Sequence, residues 1–300
     1  MIIDIHSHLA YAPLYPACFL SNMFNGLEES KKSKLNKMLP FFLKDKEGSD
    51  YLKQMDTANI DKAVLLIIDA EIALGETRLN IEEIYKVHYN VLKNHSDRFL
   101  VFAGIDPRRG KKGFDLLRKG IEEYRFQGLK LYPPMGFSMD HERLLPIYEY
   151  CQQGRLPVLI HTGPSQGDLW NEYANPLFIK SIAEKYKGIN FILAHAGFSL
   201  NNDLIKLIEN TNNVFIDVAG FQSKYPKNGE NMSNDLSILF CNESINAKVL
   251  FGTDWPLFNF MHPVSRQVGQ IKELARTSKN NLERSLGNIL CENAKRVLNI

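Results

Sequence analysis

Four short apolar runs in this chain end in residues that bind metal ions. They are Ile2-Ile3-Asp4-Ile5-His6-Ser7-His8, Pro157-Val158-Leu159-Ile160-His161, Phe191-Ile192-Leu193-Ala194-His195 and Val249-Leu250-Phe251-Gly252-Thr253-Asp254. A fifth, Gly128-Leu129-Lys130-Leu131-Tyr132, has the same form with a lysine inside it. Side chains alternate faces along a strand, so an i, i+2 pair such as His6 and His8 points the same way; on a helix that spacing splays them apart. Imidazole nitrogens with one carboxylate suit a divalent transition ion. Zinc is the first expectation, and Mn²⁺, Fe²⁺ and Co²⁺ are admitted by the same donors. Such a set leaves the ion net positive with an open position, which brings a coordinated water to a pKa of about 7 instead of about 15.7. One strand-end histidine is more often a hydrogen-bonded structural residue than a ligand. It is the joint pattern of His6, His8, His161, His195 and Asp254 that points to a metal site.

The elements that must position these residues can be read from the same pattern. Eight strand-like apolar runs occur, at Ile2–Ile5, Ala63–Ile68, Phe99–Ile105, Gly128–Tyr132, Pro157–Ile160, Asn190–Ala194, Asn213–Val218 and Lys248–Phe251. Helical spacing separates most of them, as at Phe114, Leu117, Ile121 and Tyr124, and again over Leu144–Cys151, Pro176–Tyr186 and Leu204–Glu209. Alternating strands and helices predict parallel βαβ units. Eight of them predict one (β/α)8 TIM barrel over residues 1–300, whose strand C-termini form the active face. A doubly wound sheet would carry a glycine-rich phosphate turn, and no GxGxxG or GxxxxGK is present. Strict alternation predicts that Asp4, His6 and His8 face the barrel interior while Ile3 and Ile5 face the helices. It also sets Gly128, Lys130 and Tyr132 together inside, with Leu250, Gly252 and Asp254, and places Leu129, Leu131, Val158, Ile160, Ile192, Ala194 and Phe251 outside. The first two strands are joined by a long connection, about 9–61, with a helical charged stretch from Glu28 to Lys37. A last helix, about Leu282–Leu298, is expected to close the barrel.

The 300 residues are 44% hydrophobic and 23% charged, enough for a large core, and the formal net charge is only +2. That leaves no basic field to gather nucleic acid or an anionic membrane, so the expected partner is a small-molecule substrate, with a homodimer left open. Cys18, Cys151, Cys241 and Cys291 show no CxxC spacing and read as free thiols. No signal-peptide pattern and no bilayer-length apolar stretch is found, and a cytoplasmic location is the expectation.

Other residues carry weaker indications. Asp106 and Arg108 follow the third strand in a turn; Asp-Pro there is a helix cap first, and Arg108 a carboxylate binder second. Tyr132 shares the face of Lys130. Trp255 begins a rigid loop with Pro256 and at most lines the pocket. His262, beyond the eighth strand, is a candidate substrate contact. His88, His95 and His141 fall in helix or loop context and read as surface residues.

Taken end to end, the chain resembles the amidohydrolase superfamily, and within it the amidohydrolase-related branch of zinc-dependent decarboxylases, hydratases and hydrolases. The resemblance rests on the ordered set IDIHSH, DRFLVFAGIDPRRG, GLKLYPP, LPIYEYCQQGRLPVLIHTG, YANPLFIKSIAEKY, NFILAHAGF, VLFGTDWP and NILCENAKRVLNI. It implies that His6, His8, His161 and Asp254 are metal ligands, that Asp254 also exchanges a proton, and that His195 is catalytic in a one-metal site or a ligand in a two-metal site. Lys130 matches a lysine that two-metal members carboxylate to bridge the ions; the other role open to it is an ammonium that grips a substrate carboxylate. One ion with an unmodified lysine is the favoured expectation. The implied activity is hydrolysis of a small organic acid, ester, lactone or amide, with non-oxidative decarboxylation or hydration of a small carboxylated compound as the alternative. A related metal-dependent deoxyribonuclease would carry a glutamate where Lys130 stands and favour a basic face. A non-catalytic barrel would have no need for every ligand type at the strand ends.

Overall fold

A computed structural model describes residues 1–22, 28–75, 77–165, 169–196, 200–221, 234–260, 262–277 and 283–300. The eight expected strands are all present: β1 Ile3–Ser7, β2 Lys62–Leu66, β3 Phe99–Gly104, β4 Gly128–Leu131, β5 Val158–His161, β6 Phe191–Ala194, β7 Val214–Asp217 and β8 Val249–Leu250. They are parallel and lie side by side in chain order. Backbone hydrogen bonds carry the sheet round from β8 to β1: Ile5 N–H donates to Phe251 O at 2.9 Å, Asp254 N–H to His6 O at 2.8 Å and His8 N–H to Trp255 O at 2.8 Å. This is the (β/α)8 barrel. Its lower end is covered by the helix Asn293–Leu298, whose Asn293 amide donates to the carbonyls of Asn246 and Val249. The expected start of that closing helix, Leu282, lies outside the described residues.

Two strands depart from the expected alternation, and both departures place functional side chains. On β1 the pairing slips between Asp4, level with Ala63, and Ser7, level with Leu65. The bulge puts Ile3 and Ile5 in one apolar cluster with Val64, Leu66, Phe102, Leu159 and Leu250 inside the barrel. Asp4 faces the helix layer, where its carboxylate accepts from the Tyr51 hydroxyl. Asp4, Ile3 and Ile5 are therefore the reverse of the expected parity, because one extra residue in a strand shifts every side chain before it to the other face. On β6, Phe191 packs edge-on against Tyr148 of the helix Leu145–Gly154, so Phe191 and Leu193 face outward. Ile192 and Ala194, expected outside, face inward beside Leu159 and His161. His195 would then point out, but its backbone takes a left-handed φ of 58°, which turns it into the mouth. That conformation is unfavourable for a side chain with a Cβ and persists where surrounding structure enforces it.

The described residues of the long first connection include a 3₁₀ turn at Ala12–Leu14 and helices Ala17–Asn22, Glu29–Phe42 and Ser49–Ala58. Its ends are tied by Ala12 N–H to Leu43 O at 2.8 Å and Asp45 N–H to Ala10 O at 2.9 Å. The buried Asp45 carboxylate then accepts from the N–H groups of Ser49 and Asp50 at 2.9 and 2.8 Å, satisfying donors left over at that helix start. His88 corrects a surface expectation. It sits on the inner face of the helix Ile81–Asn94, 1% exposed, with Nδ1 donating to Ile84 O at 2.8 Å.

Candidate metal centre

At the mouth, the Nε2 atoms of His6 and His8 each lie 3.5 Å from Asp254 Oδ1. One ligand atom from each residue falls within 4.8 Å of the others, close enough to surround one ion. The tautomers are set from behind. His6 Nδ1 is 2.8 Å from the Asp217 carboxylate and His8 Nδ1 is 3.0 Å from Leu66 O, so both Nδ1 atoms donate and both Nε2 lone pairs face Asp254. Burial holds both imidazoles well below their ordinary pKa, which keeps them in the neutral, ligating form. His161 Nε2 is buried without a hydrogen-bond partner among the described residues. Two presented imidazoles, a carboxylate and this orphaned nitrogen are the donor chemistry of a divalent transition ion.

His161 lies outside the tight three-residue group. Its ring stacks on Tyr132 at 4.0 Å and 13°, and its centroid is 4.9 Å from that of His195. His195 in turn is 4.6 Å from the His6 ring, and its Nδ1 reaches Ala219 O at 3.1 Å, leaving Nε2 as the basic atom. Asp254, like His195, has a left-handed backbone, with φ of 53°. Gly252 allows His6 to stand beside it: a Cβ there would come within 2.9 Å of His6 Cβ.

Lys130 is 1% exposed, and its ammonium has no hydrogen-bond partner among the described residues. Burial lowers its pKa, against the attraction of Asp217 and Asp254. The same burial raises Asp254, which Lys130 draws back down. Its Nζ lies 5.6 Å from the Tyr132 ring centroid.

Two aspartates to which the sequence assigned no role at the site hold the centre together. Asp217, on β7, accepts from His6 Nδ1 with one oxygen; with the other it accepts from the N–H of His195 at 2.9 Å and of Ala219 at 3.1 Å. The signal was an acidic residue inside the buried run Val214-Phe215-Ile216-Asp217. A second close group, His6, His195 and Asp217, also has ligand atoms within 4.8 Å, but the bonds just given commit the Asp217 oxygens to positioning. Asp4 fastens β1 to the loop after β8. Its Oδ1 accepts from His6 N–H at 2.9 Å and Thr253 N–H at 3.0 Å, and its Oδ2 from Thr253 Oγ1 at 2.5 Å.

Above the donors lies a cavity of about 290 Å³, lined by His6, His8, His161, His195 and Asp254 at its floor. Tyr15, Phe19, Leu20, Leu43, Ile68, Tyr132, Pro164, Pro256, Leu257 and Phe258 are among its wall residues. Tyr132 is in this lining. Arg108 is not: its guanidinium is bound by Asp106 at 2.5 Å and by Met135 O at 2.6 Å, and Asp106 also caps the turn. Trp255 stacks on Tyr51 at 5.0 Å and 9°, away from the lining, and the His262 ring meets Gln270.

A family model described as amidohydrolase matches residues 3–300. Solved structures share the fold at low identity. A 2,6-dihydroxybenzoate decarboxylase from Rhizobium is 18% identical over 99% of this chain and 98% of its own, with a TM-score of 0.66. A 5-carboxyvanillate decarboxylase from Novosphingobium aromaticivorans, in complex with manganese, is 15% identical over 100% and 96%, with a TM-score of 0.69. A 4-oxalomesaconate hydratase from Rhodopseudomonas palustris is 18% identical over 100% and 96%, with a TM-score of 0.67. No curated protein matches the chain.

Proposed function

The chain belongs to the amidohydrolase family, and within it we propose that it is a divalent-metal-dependent lyase, a non-oxidative decarboxylase of a small aromatic acid. The observation that carries this is the His6–His8–Asp254 donor set at the floor of a narrow cavity walled by aromatic and aliphatic side chains. Relatives of the same fold that decarboxylate 2,6-dihydroxybenzoate and 5-carboxyvanillate support it over the hydrolase reading.

His6, His8 and Asp254, with His161 beside them, would hold the ion. When bound, it supplies positive charge that orients a substrate carboxylate and stabilises negative charge on it. Asp217 and the Leu66 carbonyl fix the two imidazoles, so the donor geometry is set before substrate arrives. Tyr132 and Phe19 meet edge-to-face with ring centroids 6.3 Å apart and form an aromatic wall against which a planar ring can lie. Asp254, at the floor beside the donors, is the carboxyl group placed to pass a proton to the ring carbon bearing the carboxylate. The C–C bond then breaks, its electron pair returns to the ring and CO2 leaves. His195 presents Nε2 to the same space and can hold a substrate hydroxyl.

The test is a panel of hydroxybenzoates, and separately of esters, lactones and amides, offered to manganese- and zinc-loaded protein. Metal-dependent CO2 release from a hydroxybenzoate is the expected result. Turnover confined to esters, lactones or amides would restore the hydrolase.

A further inference from the structure

The cavity walls are not uniform around the mouth. Strand order puts β8, β1 and β2 next to one another, and the lining residues that follow these three strands are almost wholly apolar. Leu257 and Phe258 come after β8, Phe19, Leu20 and Leu43 from the long connection after β1, and Ile68 after β2. Phe19 reaches across to meet Tyr132 on the β4 side and so roofs this arc. Two of the hydroxyls on the walls are already committed: that of Tyr15 donates to Leu9 O at 2.9 Å, and that of Ser165 to Asn171 Oδ1 at 2.6 Å. A substrate held by its carboxylate at the floor can place its far end against this arc.

The geometry points to an apolar subsite, formed by Leu20, Leu43, Ile68, Leu257 and Phe258, that binds an alkyl or similar uncharged substituent of a single-ring aromatic monocarboxylate. This rests on the aromatic-acid reading above and narrows it. Burying three added carbons against such a wall strengthens binding by roughly 10- to 50-fold. A second carboxylate in the same place loses its hydration with no cation supplied by these five residues, and weakens binding by at least about 10-fold. The long first connection, which contributes Leu20 and Leu43, is then a specificity element.

Binding of benzoate, 4-propylbenzoate and terephthalate to the manganese-loaded protein, measured by titration calorimetry without reference to turnover, tests this. The expected order is 4-propylbenzoate tightest and terephthalate weakest. Leu20→Lys and Leu257→Lys, both at half-buried positions, should shift that order toward terephthalate. Equal affinity for benzoate and 4-propylbenzoate, terephthalate binding as tightly as benzoate, or no binding of any of the three overturns the subsite. CO2 release is measured separately. The expected binding order without turnover of any aromatic acid leaves the subsite standing and removes the decarboxylase; turnover without alkyl preference does the reverse.

Discussion

Asp217→Asn should weaken metal binding while leaving the barrel folded, and the structure sets the size of the effect. The Asp217 carboxylate is fully buried and accepts three hydrogen bonds, one from His6 Nδ1 and two from the backbone N–H groups of His195 and Ala219. An asparagine has the same shape but only one accepting oxygen. With that oxygen on the two backbone groups, its NH2 faces His6 Nδ1 and forces the ring proton to Nε2, where it blocks the lone pair aimed at the ion. With the amide reversed, the NH2 meets two N–H donors and leaves them unpaired in the core. Either way a charge-assisted hydrogen bond is lost, about 1.5–3 kcal/mol, or roughly 10- to 100-fold in metal affinity. Chelator competition with Mn²⁺ or Zn²⁺ gives the dissociation constants of parent and variant, and melting of the metal-free proteins checks the fold. An Asn variant that keeps the parent's metal affinity within about twofold, at an unchanged apo melting temperature, would refute the positioning role of Asp217.

Further outcomes follow from the same geometry. His195→Asn should keep its metal, because the His6–His8–Asp254 group does not include it, and lose roughly 10²- to 10⁴-fold in turnover; metal analysis beside kcat separates the two effects. Lys130→Met should retain about one equivalent of metal per chain and raise KM for an acidic substrate, whereas loss of an equivalent would identify a carboxylated lysine bridging two ions. His88 is buried with its pKa lowered to about 4. The unfolded chain takes up this proton below about 6.5 and the folded chain does not, so the contribution of His88 is complete above pH 6.5 and is lost as pH falls toward 4. The loss should approach roughly 3 kcal/mol. Denaturant midpoints of His88→Phe against the parent should diverge in that window; parallel pH profiles would contradict it.

Much of this protein was legible in its residues. Eight apolar runs punctuated by helical spacing specify a parallel barrel, because a strand buried on both faces must be apolar throughout and periodicity is a local property. The same locality exposed the donors: His6 and His8 two apart on a strand, and His161, His195 and Asp254 at strand ends. Alternation alone could not say which way Asp4, Ile192 or His195 faced. A bulge in β1 and a left-handed residue after β6 are decided by how neighbouring strands register and by what the backbone must satisfy when the sheet closes. Asp217 escaped notice for the same reason, since its value lies in three donors that come from β1, from beyond β6 and from its own strand end. For Arg108 the residues left a cap and a carboxylate binder open, and the fold set Asp106 and the Met135 carbonyl against its guanidinium. The length of the first connection stood out in the sequence; only the adjacency of β8, β1 and β2 around the closed barrel put Leu20 and Leu43 on the same wall as Leu257, because sequence separation carries no record of which ends meet.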